Sequence, residues 1–124
     1  MFFQKEILFI LFSILLNVSA QYLIKYSLSV KEPITGNLIN VIKGLFGLVL
    51  TPACFLGLFS AFLAAMFYIL ALNKLPLSVA YPMTALGFVA IVCVGIIFFN
   101  EPVTIFKITG LSLIVIGIGL ILQP

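Results

Sequence analysis

Ser13, Asn17, Gln21 and Lys25 recur every four residues within the otherwise apolar stretch FSILLNVSAQYLIKYSLSV, Phe12 to Val30. Positions four apart on a helix differ by about 40° in direction, so these side chains form one slowly drifting polar stripe. Amides and an ammonium can hydrogen-bond a polar molecule and pair with an anion, but the amides neither release a proton nor offer a fixed negative charge. Lys25 lies about 28 Å beyond Glu6 along a helix, so its ammonium either snorkels to the far headgroup layer or forms the mouth of a polar path. Asn17 and Gln21 lie deeper, where an unpaired amide is costly. They bond to neighbouring helices, line the path, or do both.

Three further groups have the types and spacing for a role. Tyr81 and Thr84, three apart in LPLSVAYPMTALGF, share a helix face that could line a cavity; Tyr81 also suits an aromatic belt at the membrane interface. Glu101, in NEPV, is the one carboxylate outside the N-terminal half. Either Asn100 or Glu101 suits the cap of a helix with Pro102 in its first turn, while the alternative is substrate or proton handling by the carboxylate. Gly110 and Gly117 frame GLSLIVIG, with Gly119 beyond, and seven-residue spacing puts the frame on nearly one face. Such a face lets helices approach closely in lipid, either within the chain or across a dimer.

The elements that position these residues follow from composition. The chain has 124 residues, 65% hydrophobic and 7% charged, a net charge of +3 and no His or Trp. With a mean hydropathy of +1.42, this is an all-α membrane protein rather than a soluble domain. All six basic residues are lysines and none are clustered, which suits anionic headgroups and argues against nucleic acid. Without His or Asp, and with no nucleophile and base in a recognisable pattern, neither an enzyme nor a metal or cofactor site is expected. Cys54 and Cys93 lie in apolar runs and read as small hydrophobes.

Four apolar runs reach the length of a membrane span, near residues 6–27, 52–72, 77–99 and 103–122, within one domain. Lys5, the apolar run Ile7 to Leu16 and VSA before Gln21 imitate a signal peptide, but the segment reads as a first span. Short links rich in Pro, Gly and Asn imply antiparallel neighbours. The segment Asn37 to Leu50 is too short for a span and reads as an interfacial helix; the alternative is a long second span from Leu38, kinked at Pro52. Pro82 should kink or unwind the third span near Ser78. Lys5 and Lys74 fall on one side, and Lys31, Lys43 and Lys107 on the other, a bias too small to fix orientation.

AQYLIK in the first span, NKLPLSVAYPM into the third, NEPV and the Gly110 to Gly117 frame together resemble the drug/metabolite transporter superfamily. The chain is similar in size to its four-helix small multidrug resistance proteins and looks like the ArnE/ArnF-type subunits that flip aminoarabinose carried on undecaprenyl phosphate. The match covers most of the chain except residues 30–51, and Gln21 with Lys25 corresponds to a Gln-x-x-x-Lys pair of that branch. Small multidrug proteins carry a first-span glutamate where Asn17 stands and a third-span tryptophan absent here, with Thr84 nearby. An amide cannot exchange a proton for a cationic drug, whereas a cationic stripe suits a phosphate.

The resemblance therefore implies a dimer in a bacterial inner membrane, of like or unlike chains, that moves an anionic polyprenyl-phosphate-linked sugar between leaflets. Lys25 would take the phosphate, Gln21 and Asn17 the polar head, and Tyr81 with Thr84 would complete the groove. The competing readings are an exporter of small amphipathic molecules that uses Glu101 or a partner's carboxylate, and a noncatalytic partner subunit docking through its last-span glycines.

Overall fold

A computed structural model describes residues 2–123. These residues form six helices and, among the described residues, no strand: α1 (Phe2–Ser29), α2 (Leu38–Val49), α3 (Pro52–Leu72), α4 (Leu77–Thr84), α5 (Leu86–Phe99) and α6 (Ile105–Ile121). Three apolar segments are long enough to cross a membrane: residues 4–29, α3, and α4 with α5 taken together. At 17 residues α6 lies at the short end of the spanning range. The chain is thus an all-α, multi-pass membrane protein, as its composition requires.

Its main packing is α1 against α3. Glu6 meets Lys74, Leu16 meets Ser60 and Ala20 meets Gly57, so the two helices run antiparallel. Gly57, Ala64 and Ala71 are buried and spaced by seven, which places small residues along the contact and lets the backbones close up. A Cβ at Gly57 would lie 3.0 Å from the Ala20 carbonyl oxygen. Ser60 Oγ donates to the Leu16 carbonyl at 2.8 Å across the same contact. At one end, Ile10 and Ile14 meet Ala71, Leu75, Ala80 and Met83 in the apolar core.

The segment between the first two spans folds as a separate helix. At 12 residues, or about 18 Å, α2 is far short of a bilayer. Gly36, with φ of 111°, turns the chain into it. It ends before an extended Thr51, and Pro52 opens α3 at a position where its missing donor costs nothing. The helix is therefore interrupted at Leu50 and Thr51 rather than running unbroken from Leu38 into α3.

The third apolar run breaks at Ala85 rather than near Ser78. Thr84 Oγ1 donates to the Tyr81 carbonyl at 2.6 Å, the acceptor that Ala85 N–H would use in a regular helix. Ala85 N–H turns instead to the Pro82 carbonyl at 3.0 Å, a tighter turn that ends α4. The start of α6 also differs from expectation. Asn100, at φ 50° and ψ 38°, closes α5 in the left-handed conformation that asparagine tolerates. The cap of α6 is Thr104, whose hydroxyl accepts from Lys107 N–H at 3.3 Å, and Pro102 stays outside the helix. Neither Asn100 nor Glu101 caps α6, because Asn100 closes α5 and the helix starts only at Ile105, after Thr104.

One ion pair ties the beginning of α1 to the turn after α3. The Glu6 carboxylate is 6% exposed and lies 3.5 Å from the ammonium of Lys74, which is 57% exposed. Replacing Lys74 with methionine leaves that carboxylate buried without its countercharge. We expect a loss of about 1–2 kcal/mol, moderated by solvent on the lysine side, with most of it recovered in the Glu6→Gln/Lys74→Met double variant. Denaturant titration of the protein in detergent measures both changes.

Candidate functional site

The polar stripe of α1 faces α5 across a groove. In one cavity of about 220 Å³, Gln21 and Lys25 from α1 face Gly95 and Phe99 from α5 and Glu101 from the following linker. A neighbouring cavity of about 160 Å³ is lined by Ser13, Asn17, Thr84 and Phe88, and shares Val18 and Ile91 with the first. All four stripe residues therefore line one or other of two adjacent cavities. Each is one turn from the next, and α5 supplies an apolar opposite wall.

Aromatic rings frame the charged end. Tyr22 lies 5.2 Å from Phe98 and 5.7 Å from Phe99, centroid to centroid. The Lys25 ammonium is 6.0 Å from the Phe99 ring centre, at the outer limit of a cation–π contact. Tyr22 also borders a mostly apolar hollow of about 380 Å³ with Leu23, Val94 and Phe98. A head with a phosphate or hydroxyls fits the first two cavities chemically, and a hydrocarbon fits the third.

Thr84 lines the groove beside Asn17, whereas Tyr81, 68% exposed, is not among the residues lining these two cavities. Three residues on a helix are about 60° apart, enough to separate a groove-lining position from an outward one here. Glu101 enters the same cavity as Lys25, which its reading as a helix cap did not foresee. Its carboxylate lies 3.7 Å from the Lys107 ammonium. Gly110 and Gly117 face open space, since a Cβ on either would meet nothing within 4 Å. Among the described residues nothing packs against the Cβ side of the glycine frame, whereas the small-residue face in close contact is on α3. The same seven-residue rule, applied to Gly57, Ala64 and Ala71, is the signal that finds it.

Amides and a lysine thus line a groove on an apolar helix of an all-helical membrane chain. The family model described as Small Multidrug Resistance protein matches residues 39–114, more than half of the chain, and the chain belongs to that family. It is 33% identical over 128 residues to a Shewanella sediminis protein named "Probable 4-amino-4-deoxy-L-arabinose-phosphoundecaprenol flippase subunit ArnF", covering 95% of this chain and 88% of that one. A Pseudomonas fluorescens protein bearing the corresponding ArnE name is 37% identical over 73 residues, 59% of this chain and 64% of its own. "Multidrug resistance protein mmr" of Mycobacterium leprae is 32% identical over 101 residues, covering 78% and 90%. No solved structure matches the chain.

Proposed function

We propose that the chain is a flippase subunit that moves a polyprenyl-phosphate-linked sugar between the leaflets of a bacterial inner membrane. The observation that carries this reading is the cavity in which Lys25 and Gln21 meet, on a membrane helix whose position 17 holds an amide. Lys25 pairs with the phosphate, Gln21, Asn17 and Thr84 hydrogen-bond the head as it crosses, and the hydrocarbon stays in lipid. The names borne by the ArnF and ArnE relatives support the substrate class. The open faces of Gly110 and Gly117 support pairing with a second four-helix subunit, like or unlike. In this arrangement α2 lies along the membrane surface, and two subunits rock around a midplane site.

The test is transbilayer movement of a polyprenyl-phosphate sugar in liposomes holding the purified full chain. Movement above protein-free liposomes supports a self-sufficient flippase; movement appearing only with a second subunit supports an obligate pair. If neither arrangement moves the lipid, the reading is wrong. Export of a small cation is the second reading, favoured by Glu101 standing in the cavity and by the Mycobacterium leprae relative's name. Proton-driven cation uptake by the chain alone would decide for it.

A further inference from the structure

Gly95 and Glu101 are joined in a way that the rest of the groove does not require. Gly95 is buried in α5, and a Cβ placed on it would lie 2.9 Å from Glu101 Oε2 and 3.0 Å from its carboxyl carbon. The carboxylate therefore rests directly on bare backbone, at a distance from which a Cβ at position 95 would displace it. The main chain fixes the same pair a second time: Glu101 N–H donates to the Gly95 carbonyl at 3.1 Å after the left-handed Asn100 turns the chain back. Glu101 is thus folded onto α5, into the cavity that Lys25 and Gln21 enter from α1.

The carboxylate is also left with capacity for a ligand. Lys107, at 3.7 Å, is close enough to balance its charge but beyond ordinary hydrogen-bond length, and that ammonium donates instead to the Pro102 carbonyl at 3.0 Å. A carboxylate has about four acceptor sites. One cavity therefore offers a cation on one wall and an acceptor-rich anion on the other.

Building on the lipid-phosphate reading above, we propose that Glu101, held in place by Gly95, is the specificity residue that accepts hydrogen bonds from an ammonium group on the headgroup whose phosphate Lys25 takes. The groove then selects heads carrying both charges over heads carrying the phosphate alone. Gly95 acts as a positioning residue, because its missing side chain makes room for the carboxylate.

The test compares two probes bound to the purified full chain in nanodiscs: a short-chain prenyl phosphate linked to an aminopentose, and the same lipid with its amine acetylated. Wild type should prefer the free amine by about tenfold, the difference expected for one charge-assisted hydrogen bond. Glu101→Gln should lower affinity for the amine to that for the acetylated lipid and leave the latter unchanged. Gly95→Ala should reproduce that loss of preference by pushing the carboxylate out of place, and size-exclusion elution checks that each variant remains folded. A preference that survives Glu101→Gln, or is absent from wild type, overturns the proposal. Lys25→Ala separates the two claims: it should weaken both lipids alike, and if both bind as before, the phosphate reading fails while the Glu101 result still stands on its own. Failure of both lipids to bind wild type overturns both.

Discussion

Lys25→Ala should slow headgroup movement by roughly thirtyfold or more while leaving the fold intact. Lys25 is exposed, and its ammonium lies 6.0 Å from the centre of the Phe99 ring. A contact at that distance contributes at most about 0.5–1 kcal/mol, so removing it changes stability little. A phosphate held in a groove of low dielectric is a different matter. A charge-assisted hydrogen bond to it contributes about 1.5–3 kcal/mol, or roughly ten- to hundredfold in a rate or affinity. Lys25→Arg keeps the charge and can reach a phosphate through two donors, so it should retain most of the activity. Both variants are compared with wild type for lipid movement in the same liposomes, at matched protein content. A Lys25→Ala rate within twofold of wild type removes this residue from the site.

The contrast between α1 and the groove's other wall explains what could be read from sequence. The stripe was legible because it is local: four polar residues spaced by four on an apolar background fall on one face of any helix. The all-helical class was legible for the same reason, since backbone groups in a bilayer must be satisfied within each segment. Glu101 was legible as a candidate but its packing against α5 was not, because that depends on a left-handed Asn100 and on the absence of a side chain at Gly95, five residues before that turn. Nor was the break at Ala85 evident. Pro82 drew attention to the carbonyl four residues before it, whereas the ladder is interrupted at Ala85, beside the Thr84 hydroxyl that donates to the Tyr81 carbonyl. For Tyr81 and Thr84, a shared face defined by spacing alone does not say which edge of that face meets the groove.

The largest structural effect should come from Gly57→Leu. A Cβ at this position would meet the Ala20 carbonyl oxygen and the Ile24 Cγ1 at 3.0 Å each, and the Leu23 Cβ at 3.2 Å. The isoleucine can rotate away, but a backbone oxygen inside a helix cannot, so α1 itself must withdraw from α3. Three more side-chain carbons then enter a contact that small residues had kept close. Overpacking of this kind costs about 1–3 kcal/mol, and a leucine against a fixed carbonyl belongs at the upper end. Gly57→Ala should cost less, since the better helix propensity of alanine offsets part of the clash. The withdrawal also carries the stripe with it: Gln21 directly follows Ala20, and Lys25 is the next stripe position. Gly57→Leu should therefore lower the denaturation midpoint in detergent and abolish lipid movement together. Gly110→Leu provides the contrast, because a Cβ there touches nothing within 4 Å. It should leave the denaturation midpoint of the isolated chain unchanged and, where the α6 face is a subunit contact, reduce the cross-linked dimer. If Gly57→Leu unfolds no more easily than Gly110→Leu, the close approach of α1 and α3 is not what holds the groove in shape.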